Sequence, residues 1–192
     1  MGWNDPTELR VMSSGQVYTA PVGTALPTSP LTTLSSATWT GAGLLSEDGV
    51  ALSYSPTVQE YPAWQVRGPV RREITAVALT AKMAMLQWDE SNLPLAFGGG
   101  VVDSPSAGIY RYTFPLGSEA LNEKVMIIDT IDGSVHQRLV IPRGTVSDNV
   151  DTEMKRGAPS LLPITFSALE PTDGSAIAYW LTDDAAAFIA GS

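Results

Sequence analysis

Glu73-Ile74-Thr75-Ala76-Val77-Ala78-Leu79-Thr80-Ala81-Lys82-Met83-Ala84-Met85 is the stretch on which the fold reading turns. Glu73, Thr75, Val77, Leu79, Ala81, Met83 and Met85 form one series. Ile74, Ala76, Ala78, Thr80, Lys82 and Ala84 form the other. A period of two sustained this long predicts a strand, although the Ala and Met residues at its end suit a helix equally. At ~3.3 Å per residue the run spans roughly 40 Å, well beyond an ordinary strand. The fold class that follows is mainly β: an antiparallel sandwich or partial barrel.

Upstream, the prolines and mixed polar residues of Ser55–Gly68, around Tyr61 and Trp64, predict a hairpin extending from the core. The protruding arm is placed at 46–68. Long irregular connections of this kind are usually functional or mobile. Before it, Glu47-Asp48-Gly49 reads as a turn in which Gly49 takes a positive φ. A strand is expected over Thr38–Leu45, a Pro/Thr/Ser-rich connection over Ala25–Ser36, and a first strand over Gln16–Gly23. Residues 1–14 read as a loosely held arm.

Downstream, Asp89 is placed to cap a short packed helix. Leu93, Leu95, Ala96 and Phe97 would supply its buried side, Pro94 would keep it short, and Gly98 would occupy C′. Strands follow over Ile109–Phe114, Lys124–Asp129 and Ser134–Ile141, the last two joined around Asp132-Gly133, a strong hairpin signal. Pro163–Leu169 and Ser175–Leu181 read as a final pair turning through Pro171-Thr172-Asp173-Gly174. Residues 183–192 form an Ala-rich tail. The whole of 1–192 reads as one domain.

Composition restricts the chemistry. Of 192 residues, 44% are hydrophobic and only 16% charged, which points to surface covered by neighbouring subunits. Twenty acidic against eleven basic side chains leave a net charge of −9, unsuited to a broad nucleic-acid footprint. Cysteine is absent, so disulfides and thiolate chemistry are excluded. The start of the chain has no secretory pattern, and no apolar run approaches the ~18 residues of a membrane helix. The expectation is a soluble protein made in the cytoplasm.

No catalytic, cofactor-binding or metal site is predicted. The single histidine, His136, lies mid-strand without a Gly-x-Ser-x-Gly elbow or a second histidine at helical spacing, and reads as a strand residue. Asp148-Asn149-Val150-Asp151-Thr152-Glu153 lacks the glycine and terminal glutamate of a calcium loop. Gly98-Gly99-Gly100 has no Lys-Ser or Lys-Thr after it and reads as a helix stop. Arg67, Arg71 and Arg72 form one basic knot, suited to a neighbour's acidic loop or to Glu73. The five tryptophans are spread as packing and interface anchors.

Several features in order resemble the major tail tube proteins of long, non-contractile-tailed bacteriophages, particularly those of actinobacterial hosts. They are Val17-Tyr18-Thr19-Ala20-Pro21-Val22-Gly23-Thr24, Trp39 through Leu44-Leu45-Ser46-Glu47-Asp48-Gly49-Val50, and Trp64. They continue with Val70-Arg71-Arg72-Glu73-Ile74-Thr75, then Asn92-Leu93 leading to Phe97-Gly98-Gly99-Gly100.

The resemblance implies a structural, non-enzymatic virion protein assembled in the host cytoplasm, with a β-sandwich and one helix. Hexameric rings would share an inner β-barrel and stack into the conduit for DNA ejection. The implied partners are further copies of the chain, a tape-measure protein in the lumen, terminator and distal tail proteins at the ends, and passing DNA bound without sequence specificity. The arm would touch an adjacent subunit or ring. Acidic residues on the lumen wall, with Asp129, Asp132 and Glu73 as candidates, would let DNA slide. Alternatives are a tail terminator, a distal tail or capsid decoration protein, a carbohydrate-binding adhesin module, or an enzyme using dispersed carboxylates.

Overall fold

The computed structural model describes residues 9–117 and 121–184; most of the expected N-terminal arm and C-terminal tail lies outside them. The chain is mainly β, and the described residues form ten strands and one helix: β1 Ser14–Pro21, β2 Thr40–Gly41, β3 Leu45–Pro62, β4 Pro69–Met85, α1 Asn92–Ala96, β5 Val101–Ser106, β6 Ile109–Thr113, β7 Lys124–Asp132, β8 Val135–Val146, β9 Leu162–Ala168 and β10 Tyr179–Thr182. Every strand pairing is antiparallel. One sheet runs in the order β2-β1-β7-β8-β9-β4-β3, with β10 also on β8, and β5-β6 forms a separate pair.

The large sheet curls into a partial barrel. Strands near its opposite ends, β1 and β4, bury Val17, Met83 and Met85 in one cluster with Met126, Ile141, Leu162 and Phe166. A flat sheet cannot bring its two ends to one core. Leu95 and Ala96 of α1 close over that cluster. The alternate residues of β7, Val125 and Ile127, point to a smaller core with Trp39 and Val140, covered by Leu26, Leu34 and β10. Burial on both faces explains why β7 reads as a continuous apolar run. The bend falls in β8, whose second edge pairs with β10 over 137–140 and with β9 over 144–146. Gly144 permits the corner, because a Cβ there would lie 2.4 Å from the Phe166 ring.

The helix forms as its residues dictate. Asp89 Oδ1 accepts from the amides of Ser91 (2.9 Å) and Asn92 (2.8 Å), although the regular helix begins only at Asn92. Gly98 takes φ +73° at C′, and the Gly99 amide donates to Pro94 O at 2.8 Å. The Asn92 side-chain amide, 1% exposed, donates to Ala42 O and Gln87 O and so pins the helix between two strand ends.

Four expectations are corrected, and one strand is added. The strand over Thr38–Leu45 shrinks to Thr40–Gly41, because Thr38 and Trp39 turn back to donate to Ser35 O and Gly43 adopts φ +69°. Glu47-Asp48-Gly49 does not end a strand. It is a bulge within β3, where Leu45 to Val50 takes five steps against two from Met85 to Met83, with Gly49 at φ +66°. The arm is not confined to 46–68, since the outer half of β4 is its second strand. The expected final pair does not pair with itself: β9 lies on β4 and β8, whereas β10 lies on β8. Val101–Ser106 was unassigned in the sequence and pairs with β6.

Candidate assembly interface

β9 flanks β4 only from Thr80 to Met85, so the hairpin beyond that point has no third strand beside it. Residues 51–62 and 69–78 are all exposed. A two-stranded ribbon in water is marginal unless one of its faces is covered.

The faces of this ribbon are set by a second bulge. Thr57 pairs with Ala76, but Val58 pairs with Ile74, leaving one extra residue on β4. An extra residue reverses the alternation of everything beyond it. The single series Glu73, Thr75, Val77 through Met85 expected from the sequence is therefore broken, and Ile74 joins Val77 and Leu79. Opposite them, in register, stand Val58, Pro56 and Tyr54. The result is an apolar stripe that continues the core face of Met83 and Ala81 out into solvent. Tyr54 is 63% exposed and Ile74 59%, with Leu52, Val58 and Val77 at 40–45%. The opposite face carries Ser53, Ser55, Thr57 and Gln59 against Thr80, Ala78, Ala76 and Glu73. Contiguous exposed apolar surface of this kind marks an interaction site.

The stripe ends at a charged pair, Arg72 Nε to Glu60 Oε1 at 2.8 Å, and Arg71 lies 3.7 Å from Glu73. Both pairs are well exposed and contribute little to stability. Beyond them the tip presents Trp64, wholly exposed, and Val66. The outer edge of β3 pairs with nothing among the described residues, and at the other end of the sheet β2 covers only Tyr18 and Thr19 of β1. Open edges are templates for another chain.

The three candidate lumen carboxylates are placed differently from one another. Asp129 accepts two bonds from Arg138, Nε to Oδ1 at 2.6 Å and Nη2 to Oδ2 at 2.7 Å, so it is an ion-paired structural residue. Asp132 accepts from the Val11 amide at the β7–β8 turn. Glu73 sits on the polar face of the arm. The structure does not bring these residues together. His136 is tied to Asp183, whose carboxylate accepts from the His136 amide at 2.8 Å and lies 3.1 Å from Nδ1. That amide bond is the main cause holding Asp183 below the usual carboxylate range. Among the described residues no His, Asp or Glu cluster has metal-binding geometry. The first bulge is signalled by Gly49, whereas at the second the one nearby signal is Pro56 on β3 and the extra residue on β4, Thr75, carries none.

A mainly β chain with an uncovered apolar ribbon and open sheet edges is built to meet other chains. The family model described as phage tail tube protein matches residues 1–191. The chain belongs to the phage tail tube protein family. No curated protein matches it. As a tail tube protein it is a structural component of the virion, and membership implies self-assembly into a tube. No helix among the described residues is long and apolar enough to cross a membrane.

Proposed function

We propose that copies of this tail tube protein, each a single domain over 1–192, join into hexameric rings that stack into the conduit for DNA ejection. A tape-measure protein would fill the lumen before ejection, with terminator and distal tail proteins at the ends. The observation that carries this reading is the apolar stripe on the β3–β4 ribbon, which extends the core face past the last flanking strand. A second copy laid against it removes the stripe from water at about 25 cal/mol per Å² of apolar area. Ring closure between different patches also satisfies open edges, and a contact of that type repeats without limit when it does not close. The net charge of −9 supports passage of DNA without adhesion.

Negative-stain microscopy of the purified chain, beside Tyr54→Asp and Ile74→Asp variants, tests the reading. The unchanged protein is expected to form tubes or stacked six-fold rings, and the two variants to stay dispersed with an unchanged melting temperature. Normal tubes from Ile74→Asp would remove the stripe from the assembly. A tail terminator of similar architecture would stop at a single ring in the same micrographs.

A further inference from the structure

Gly98-Gly99-Gly100 stops α1 and then carries the chain through three consecutive positive φ angles, +73°, +148° and +90°. Glycine populates positive and negative φ about equally, so a run of three is a soft point in the backbone. The run leads into β5, and the β5–β6 ribbon shares no strand pairing with the large sheet among the described residues. At the ribbon's other end stands Gly117, φ +77°. Val101, Ile109 and Tyr110 of the ribbon are exposed. Its Arg111 is turned onto its own strand partner, donating from Nε to Asp103 Oδ1 at 3.0 Å.

Side chains seat this ribbon on α1. The Tyr112 hydroxyl donates to Gly99 O at 2.6 Å, and the Phe114 ring stands edge-on to Phe97 at 4.9 Å. Tyr112 lies 6.0 Å from Phe97, which packs in turn against the main core. Gly100 fits the seat closely: a Cβ there would lie 2.5 Å from Thr113 O and 2.7 Å from the Tyr112 hydroxyl. A hydroxyl bond and two ring contacts favour the seated state by a factor on the order of 10². Unfolding a whole domain is disfavoured by ~10⁴ or more. The ribbon therefore leaves its seat far more often than the sheet unfolds.

We propose that the β5–β6 ribbon is a hinged flap, which swings off α1 as one body about Gly98–Gly100 and Gly117. Its own ladder and the Asp103–Arg111 pair travel with it, and the large sheet stays folded. A hinge is a few residues that absorb the whole change in φ and ψ, and glycines at both ends of the ribbon supply that. Seated, the flap covers Phe97 and Tyr112 occupies the Gly99 carbonyl; swung out, it bares both. The β3–β4 ribbon has no such freedom, because β4 runs unbroken from the arm into the sheet beside β9. The chain thus carries one projection continuous with its sheet and one that moves against it. In the tube-forming reading above, on which this last step rests, contacts made through the flap shift while those made through β3–β4 hold.

The sequence contains no cysteine, so Ala107→Cys at the flap's tip and Ser134→Cys at the β7–β8 turn accept a pair of spin labels and nothing else does. Electron–electron dipolar spectroscopy on dispersed protein reads the distance between them, whether or not tubes form. The labelled protein is expected to give one narrow distance. Adding Gly100→Ala, whose methyl group collides with Thr113 O and the Tyr112 hydroxyl, should make a second, broader distance the major population. Tyr112→Phe with Phe114→Ala should do the same. Tyr112→Phe alone should raise the open fraction about fivefold, the loss of one hydrogen bond. The melting temperature should not change in any of them.

A single narrow distance in Gly100→Ala and in the Tyr112→Phe, Phe114→Ala double variant would overturn the flap. So would a second distance that appears only with a fall in melting temperature, because the ribbon would then belong to the cooperative fold. Should Gly100→Ala fail to fold, the double variant decides alone. Protein that shows the open distance and yet forms no rings would refute the tube reading and leave the flap standing.

Discussion

Replacing Asp129 with alanine should destabilise the protein far more than its place among surface-pattern acids suggests. Arg138 is 3% exposed, and its guanidinium makes four hydrogen bonds. Two go to Asp129, its cross-strand partner, and two to the carbonyls of Ser29 and Thr32 in the connection that covers the smaller core. Without the carboxylate, a buried cation keeps only two neutral acceptors. Breaking one side of a buried pair costs about 3–5 kcal/mol. The Asp129 side chain is 23% exposed, so water reaches the site and the loss should fall near 3 kcal/mol at the lower end. In a chain of this size that corresponds to a melting temperature lower by roughly 6–12 °C.

Urea and thermal unfolding of Asp129→Ala should be followed beside Glu60→Ala, which breaks the exposed pair with Arg72 and should move stability by no more than about 1 kcal/mol. The double variant Asp129→Leu with Arg138→Met should recover most of the loss, because it removes both charges together. If Asp129→Ala shifts the midpoint no more than Glu60→Ala does, the pair is not a buried one in energetic terms. The structural role assigned to Asp129 would then be wrong.

Two other outcomes are expected. Gly144→Ala forces a methyl group to within 2.4 Å of the Phe166 ring and 2.6 Å of Ser167 O; overpacking of about 1–3 kcal/mol should lower the melting temperature by several degrees, and an unchanged midpoint would show that the β8 corner yields. Acid should weaken the fold modestly through Glu123, held below its ordinary range chiefly by its hydrogen bond from Arg143, and through Asp103, held low likewise by Arg111, because both pairs are solvent-screened. Because these folded-state values are depressed, the unfolded chain takes up protons first. Their stabilisation is complete above the ordinary carboxylate range and is lost as pH falls below about 4. Denaturant midpoints measured from pH 7 to pH 3 should stay flat and then drop, with a smaller drop in Glu123→Gln.

The legible parts of the structure are those whose cause lies within a few residues. Asp89 caps the first turn and Gly98 stops the helix because a carboxylate and a missing Cβ act locally. The β7–β8 hairpin turns at Gly133, φ +60°, for the same kind of reason. The long strand was legible because alternation sustained from Glu73 to Met85 leaves few competing conformations. The arm was legible as an excursion but not in its extent, since the outer half of β4 has the same alternation as the buried half. Only the absence of a flanking strand marks it as protruding.

Alternation, capping and turn chemistry in the sequence determined a mainly β chain with a short helix and a long hairpin. Tertiary structure decided which strands share an edge, and therefore where the sheet ends and the ribbon begins. It decided that an extra residue opposite Val58 turns Ile74 onto the apolar face, and that Asp129 is spent on a buried guanidinium. Pairing partners lie as far apart in the chain as Ser14 and Ile131 and share no local signal, and a one-residue bulge costs so little that nothing in the composition of β4 declares it.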